Sequence, residues 1–302
     1  MIILNSIRFL IYKIVPSWLY YKIAFFVKKE RLKKANKIFC NNNNNLIIYE
    51  FLKKTKKYEK VFIFGSGRSI NELSVGNYKE INKNCSIGIN KWIFHNFITN
   101  YYMLELTPDD SLNEKFRLRI HQLLKNKSKN PIFLIHKGRS DQNKMQNWMT
   151  RMPNDRVFLY EYLRPDIYKK NKRIEFIKSL KFLSKKNKIC NVLTLGVGAT
   201  LERAISLTLL LGYSNIIILG VDLNDTKVFW NDSDTNFKGI KSGQKEYGLH
   251  KTAIKRQGGL PVQNSIVILD EIAREYYDSR ILITTKNSLL SSKIEKYEFK
   301  NK

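Results

Sequence analysis

Short apolar runs alternate with amphipathic segments along most of the chain. The runs are rich in β-branched and aromatic residues and are four to six residues long, which predicts buried strands. They occupy 61–64, 86–89, 101–106, 132–135, 156–159, 215–219 and 280–284. Between several of them, apolar residues recur three or four positions apart, which predicts helices at 113–125, 172–185, 200–211 and 265–276.

Strands that alternate with helices predict an α/β fold, a Rossmann-like and mostly parallel sheet with helices on both faces. In such a sheet ligands bind at the carboxyl ends of the strands, so the loops that follow the strands should carry the site. We expect one single-nucleotide-binding domain over 46–302, within which the irregular stretch 224–262 is the candidate lid.

The first 45 residues have a different character. Residues 1–27 are rich in aliphatic and aromatic side chains, but charged residues and a proline interrupt them. These are Arg8, Lys13, Pro16 and Lys22. No run approaches the ~20 apolar residues that a spanning helix needs, and the cations that follow argue against a signal peptide. We expect 1–45 to be an amphipathic segment on a membrane surface; the alternative is that it packs on the domain as a pair of ordinary helices.

The charge of the chain favours an anionic partner. It carries 54 Lys and Arg against 26 Asp and Glu, a formal net charge of +28 at pH 7. A lysine-rich compositional bias with no binding role explains the charge equally well. No aromatic-basic recognition module accompanies it, so nucleic-acid binding is disfavoured.

Cysteine and histidine usage gives no metal site. Cys40, Cys85 and Cys190 are widely separated, which indicates neither a disulfide framework nor a zinc site and fits a reducing cytosol. The first three histidines lack the spacing of metal ligands. They are His95, His121 and His136.

The first strand ends in Gly65-Ser66-Gly67-Arg68-Ser69, a turn suited to holding a phosphate. A dinucleotide fingerprint would need a third small residue and an acid after the next strand. Ile70 and Asn90 stand in those places, so NAD binding is disfavoured. The amide of Asn90 could contact a ribose or a base, or the residue could simply form a turn.

Later loops carry further candidates. Thr194 begins a glycine-rich turn that leads into a helix, and Asp222 follows a buried strand, where it could position a sugar, cap a helix or bind a metal. His250 could deprotonate a sugar hydroxyl or simply be exposed. Asn287 and Ser288 follow the last strand, where they could cap the final helix or bind a nucleotide.

Taken in order, these motifs resemble those of glycosyltransferase family 42, the bacterial sialyltransferases, over roughly 61–294. The matching stretches are Gly65-Ser66-Gly67-Arg68-Ser69, Asn90, Thr194-Leu195-Gly196-Val197, Leu211-Gly212-Tyr213, Gly220-Val221-Asp222, Tyr247-Gly248-Leu249-His250 and Asn287-Ser288-Leu289-Leu290. The chain departs from the family where Leu195 replaces a serine and Thr107 replaces an asparagine. The tyrosine that the family places after Gly-x-Asp-x is absent at Leu223 and Asn224.

The resemblance implies a role for each matching residue. His250 would be the general base, and Tyr247 belongs to the same motif. The implied donor-binding residues are Gly65, Ser66, Gly67, Ser69, Asn90, Thr107, Thr194, Leu195, Gly196, Asp222, Asn287 and Ser288. As a conjecture, Lys227, Lys251 and Arg256 replace the family's phosphate-steadying tyrosine.

The implied activity is inverting transfer of a nonulosonic acid from a CMP-activated donor to a surface glycan, a lipooligosaccharide or capsule, with no cofactor and no metal. The enzyme would lie on the inner face of the cytoplasmic membrane, where a lipid-linked oligosaccharide would be its acceptor, and a homo-oligomer is compatible with the sequence. Two alternatives remain. The chain could be a catalytically inert nucleotide- or sugar-binding relative, or an ATP-dependent pyrophosphokinase-like enzyme of related fold.

Overall fold

The computed structural model describes most of the domain. The described ranges are 58–126, 129–136, 148–152, 156–163, 192–195, 199–224, 227–229, 249–250, 252–254, 261–285 and 288–300, together with the helical positions Leu19, Ile23, Phe26, Val27 and Glu30. The predicted helix 172–185, nearly all of the segment 1–45 and most of the candidate lid therefore lie outside the described residues.

Within these ranges, eight strands form one parallel sheet in the order β6-β5-β4-β3-β2-β1-β7-β8. The strands are β1 (Lys60–Phe64), β2 (Cys85–Ile89), β3 (Tyr101–Glu105), β4 (Ile132–His136), β5 (Val157–Leu163), β6 (Val192–Leu195), β7 (Asn215–Leu219) and β8 (Arg280–Ile283). The chain runs outward from β1 to β6 and then returns to the other side of β1. The topological switch point, where such sheets bind ligands, therefore lies between β1 and β7.

Four α-helices of the described ranges accompany the sheet. They are α1 (Val75–Asn82), α2 (Asp110–Lys125), α3 (Thr200–Leu211) and α4 (Val262–Tyr277). Two 3-10 helices, Arg68–Glu72 and Asn90–Phe94, follow β1 and β2. The Rossmann-like α/β class is thus confirmed by the structure.

The two faces of the sheet are covered by different helices. Val61 and Ile63 of β1 pack in the core cluster that contains α3 and α4, whereas Phe62 and Phe64 pack in the cluster that contains α2. Side chains alternate between faces along a strand, so a strand covered on both faces is apolar along its buried length, as β1 is from Val61 to Phe64. The expectation of helices on both faces is confirmed.

The structure differs from the sequence prediction at two elements. The pattern placed Thr194 in a turn, but Thr194 and Leu195 belong to the edge strand β6, where they pair with β5. The glycine-rich stretch that begins at Gly196 led the pattern to be interpreted as a turn from Thr194 onward. Helix α1 was not predicted; Ser74 and Asn77 form a capping box at its start, with Ser74 N–H donating to Asn77 Oδ1 at 2.8 Å.

Candidate functional site

The turns after β1 and β7 meet at the switch point. Gly65 N–H donates to Leu219 O and Gly67 N–H donates to Gly220 O, both at 2.8 Å. A Cβ on Gly65 would collide with Gly220 O, and Gly220 has a φ of +63°. Glycine is therefore required at both positions, by close approach at one and by backbone conformation at the other. The turns at Gly65 and Gly220, 155 positions apart in sequence, form one structural unit.

Asp222 ties this unit together. Its carboxylate accepts a hydrogen bond from Ser69 N–H at 2.9 Å and a second one from Ser69 Oγ. Ser69 Oγ also lies 3.1 Å from Thr285 Oγ1, at the end of β8. Asp222 is 8% exposed. Among the roles considered for Asp222, these contacts support bracing of the loops at the switch point.

Most of the backbone N–H groups in the glycine turn at 65–69 donate hydrogen bonds within the protein. The N–H groups of Gly65, Gly67 and Ser69 all donate to the β7 side of the crevice. Among the described residues none accepts a hydrogen bond from the N–H of Ser66. The phosphate-binding role expected of this turn consequently depends on Ser66 and on nearby cations.

Lys227 is placed next to this turn. Its neighbour Val228 forms an antiparallel bridge with Gly67, and Phe229 N–H donates to Ser66 O at 3.1 Å. This pairing brings the start of the candidate lid to the carboxyl end of β1. The position suits the phosphate role conjectured for Lys227.

His250 also lies at the switch point. Its backbone N–H donates to the carbonyl of Leu223, the residue after Asp222, at 2.9 Å. Its ring Nδ1 lies 2.7 Å from Thr252 Oγ1. The Thr252 backbone N–H also donates to Nδ1, at 3.2 Å, and this bond needs a lone pair on Nδ1. Nε2 has the lone pair of a general base only in the other tautomer, in which Nδ1 carries the proton and donates it to the closer contact, Thr252 Oγ1.

The loop after β8 is joined to the same unit. Ser288 Oγ donates to the carbonyl of Val221 at 2.6 Å and accepts from Leu290 N–H at 3.3 Å. The second bond forms a local turn. The final helix that Asn287 and Ser288 were expected to cap is not formed in 288–300, so that expectation is wrong. The first holds the last loop against the Asp222 loop.

Asn90 is engaged on both ends of its amide. Oδ1 accepts from Glu105 N–H at 3.0 Å, and Nδ2 donates to Thr200 Oγ1 at 3.1 Å. The residue has a φ of 48°, a conformation that asparagine tolerates better than most residues. Asn90 thus joins the ends of β2 and β3 to the start of α3.

Sequence reasoning missed a buried ion pair beside Asn90. Arg203 Nη1 donates to Glu105 Oε2 at 3.0 Å, and the guanidinium lies over the ring of Tyr162 at 3.9 Å. Tyr160 lies beneath it, and burial raises the pKa of this phenol, which keeps it neutral. An acid at the end of an apolar strand and an arginine inside an apolar helix were the signals available in the sequence.

Aromatic residues line the opposite side of the first turn. Trp92 stacks on Phe64 and on His95, with ring centroids 4.3 and 4.1 Å apart, and Phe229 closes the group edge-on. His95 Nδ1 accepts from Phe97 N–H at 2.9 Å. Burial lowers the pKa of His95 to about 4, so the ring is neutral near pH 7.

The remaining predicted positions are either elsewhere or outside the described residues. Thr107 lies after β3, where its backbone N–H donates to Asn113 Oδ1 at 2.9 Å and shapes the start of α2. Thr194 and Leu195 are in β6, at the sheet edge opposite β8. Gly196, Tyr247, Lys251, Arg256 and Asn287 lie outside the described residues. In the described part of the chain, His, Cys, Asp and Glu side chains form no group of three that could hold a metal ion.

The fold is similar to that of a known enzyme, but the amino-acid sequence matches no family. No family profile matches the chain, and no curated protein matches it. Its fold is similar to the crystal structure of monofunctional alpha-2,3-sialyltransferase Cst-I from Campylobacter jejuni, at 14% sequence identity and a TM-score of 0.45, over 82% of this chain and 85% of that chain. The function must therefore be inferred from this chain's own residues.

Proposed function

We propose that this protein is an inverting glycosyltransferase that moves a nonulosonic acid from a CMP-activated donor to a glycan acceptor. His250 removes the proton from the acceptor hydroxyl as that oxygen bonds to the anomeric carbon. The bond from the anomeric carbon to the phosphate oxygen breaks, and CMP leaves with the electron pair. The acceptor's proton passes to Nε2 of the imidazole.

One observation carries the proposal. Motifs that resemble the sialyltransferase family in sequence are far apart along the chain, and the fold brings four of them to one crevice. Ser69 contacts Asp222 and Thr285, Ser288 contacts Val221, and His250 contacts Leu223. The crevice is at the topological switch point, where open α/β sheets bind nucleotides.

The charge that develops on the leaving phosphate needs a stabilising donor. The conjecture that Lys227 supplies it is supported by the pairing of its neighbour Val228 with Gly67, and the N–H of Ser66 is a second candidate donor. A cation fixed near the leaving oxygen stabilises the transition state more than the ground state, because the negative charge grows as the bond breaks.

The amino-terminal segment supports a membrane-surface location for the acceptor. Leu19, Ile23, Phe26 and Val27 are helical, share one face by their spacing, and are 36 to 59% exposed. No helix in the described ranges has the length and apolar character to cross a bilayer. We propose that this face rests on the inner leaflet and concentrates the enzyme near a lipid-linked acceptor.

Release of CMP tests the activity. The purified chain is incubated with a CMP-activated nonulosonate and a panel of surface oligosaccharides, and His250→Ala is compared with His121→Ala, a change on α2. We expect a loss of about 100-fold or more in the first variant, the range of general-base catalysis, and none in the second. Equal turnover of the two variants would refute the role of His250.

A nucleotide- or sugar-binding protein without turnover is the second candidate. It is favoured by Leu195, which stands where the resembled family has a serine, and by the missing tyrosine after Asp222. Thermal stabilisation by CMP without CMP release from any donor would support this candidate over the enzyme.

A further inference from the structure

The carboxylate of Glu105 is held at one oxygen only. Oε2 accepts from Arg203 Nη1 at 3.0 Å and from Thr200 Oγ1 at 3.2 Å. No described residue donates to Oε1. Glu105 is the last residue of β3, at the sheet edge where ligands bind.

Exposure differs sharply between the two partners. The side chain of Arg203 is 2% exposed, whereas that of Glu105 is 30% exposed. The buried guanidinium therefore fixes one oxygen of a partly exposed carboxylate at the carboxyl end of β3. Arg203 Nε has no hydrogen-bond partner among the described residues. The ion pair is only partly buried, and the carboxylate is its exposed member.

Asn90, the neighbouring residue that could bind ligand hydroxyl groups, already makes hydrogen bonds within the protein. The Asn90 amide oxygen uses one of its two lone pairs to accept from Glu105 N–H, and one of its two N–H groups donates to Thr200, so Asn90 keeps less acceptor capacity for a ligand than Glu105. Glu105 thus supplies the open acceptor at the ends of β2 and β3. A carboxylate accepts hydrogen bonds from both hydroxyls of a vicinal diol, which a single amide oxygen matches less well.

The spacing from the glycine turn also fits a nucleotide. Strands β1, β2 and β3 are neighbours in the sheet. Two strand spacings separate the end of β1 from the end of β3, about 10 Å. A nucleotide with its phosphate at Ser66 can bridge that separation and place its sugar at Glu105.

We propose that Glu105 binds a vicinal diol of the sugar nucleotide through Oε1, with Arg203 and Thr200 as positioning residues. The proposal rests on the proposed function and names the residue that reads the ligand's hydroxyls. The diol belongs either to the ribose or to the donor sugar. The chemistry is the same for both, and the experiment separates them.

The test compares ligands with and without the diol. CMP, 2′-deoxy-CMP and 2′,3′-dideoxy-CMP are titrated calorimetrically into the full chain, and the CMP-activated donor is compared with a donor whose side-chain diol is removed. The proteins are the native chain, Glu105→Gln and Glu114→Gln, a control that changes an ion pair with Arg117 on α2. Gln at 105 still offers Arg203 an oxygen and turns an NH₂ toward the ligand.

If Glu105 reads the ribose, the native chain binds CMP about 10- to 100-fold more tightly than dideoxy-CMP, a range typical of hydrogen bonds to a charged group. Glu105→Gln reduces that ratio to within about threefold, a remainder typical of neutral hydrogen bonds, and Glu114→Gln leaves it unchanged. If Glu105 binds the diol of the donor sugar, Glu105→Gln reduces only the ratio of affinities for the donors with and without that diol. If Glu105→Gln changes neither affinity ratio while the protein still releases CMP from the donor, the assignment of Glu105 is overturned and the proposed function is not.

Absence of binding and turnover with every nucleotide overturns the proposed function together with this assignment. A second variant guards against misfolding. Glu105→Met combined with Arg203→Met removes both charges while keeping similar volume, and it should fold and show the same lost ratio. Retained discrimination in this folded double variant also overturns the assignment.

Discussion

Ser69 and Asp222 are 153 positions apart in sequence, yet the carboxylate of Asp222 accepts hydrogen bonds from both the N–H and the hydroxyl of Ser69. This contact closes the crevice between β1 and β7. It also sets the distance between the glycine turn, beside which Lys227 lies, and the loop on which His250 is anchored. Changes at this contact should therefore affect the whole site.

Gly67→Ala should disrupt that contact. A Cβ on Gly67 would lie 2.5 Å from Asp222 Oδ2, so the carboxylate must move away from Ser69. We expect the free energy of unfolding to fall by about 1–3 kcal/mol, the usual cost of overpacking, and CMP release to fall with it. Gly76→Ala, in the first turn of α1, is the control and should leave both unchanged or raise stability slightly. Equal unfolding midpoints in urea for the two variants would contradict the prediction.

Thr252→Val should slow turnover more than it weakens binding. The Thr252 hydroxyl contacts Nδ1 of His250 at 2.7 Å. By accepting from a protonated Nδ1 it favours the tautomer that leaves Nε2 unprotonated, whereas the Thr252 N–H, which donates to Nδ1 at 3.2 Å, favours the other tautomer. Valine keeps the shape and removes the hydroxyl. We expect kcat for CMP release to fall about tenfold or more, while KM for the donor changes little. Thr252→Ser should restore most of the rate, and a failure of serine to do so would exclude the hydroxyl as the cause.

The stability of the fold should depend on pH through His95. Burial lowers the pKa of this histidine to about 4, whereas an unfolded chain has a histidine pKa of about 6.5. Between these values the unfolded state binds more protons than the folded state, so stability is lost as the pH falls from about 6.5 towards 4.

The His95 contribution to this loss is up to about 3 kcal/mol. His95→Phe keeps the stacking on Trp92 but cannot be protonated, so its deficit relative to the native chain should shrink as the pH is lowered. Urea unfolding at pH 7.5, 6 and 4.5 measures the difference, with His121→Phe as the control. A deficit that stays constant over this range would show that protonation of His95 does not destabilise the fold.

The amino-terminal helix should bind anionic vesicles through its apolar face. Ile23 and Phe26 are 49 and 59% exposed. Replacing both with serine should weaken co-sedimentation with vesicles of phosphatidylglycerol and phosphatidylcholine by about tenfold or more, since two apolar side chains no longer leave water. Leu118→Ser, at a position that is 50% exposed on α2, is the control. Equal vesicle binding by the double variant and the control would remove the membrane proposal.

Much of the fold was predictable because its elements follow local rules. The seven predicted strands are all present. Their apolar runs indicated buried strands because strands of a parallel sheet covered on both faces are largely apolar. Helix α3 was found with the same bounds. Helix α1 was missed because it is short, and β6 was missed because its last residues run into the glycine-rich stretch that begins at Gly196, which was interpreted as a turn.

The composition of the crevice was only partly predictable. The glycines at 65, 67 and 220 predict turns. The order of strands and helices indicates the sheet edge at which those turns lie. The side on which β7 joins the sheet is not readable from periodicity. That placement beside β1, decided by packing of the whole sheet, brings Asp222 to Ser69.

The sequence by itself determined the element types and the residues available for chemistry, because apolar spacing and turn residues act over a few neighbouring positions. Only the tertiary structure decided which of these residues meet. Asn90 is occupied by Glu105 and Thr200, and Arg203 is buried beneath Glu105, through contacts that span 15 to 110 positions. Such pairings depend on the order of strands in the sheet and on where α3 crosses it, and no local pattern records either.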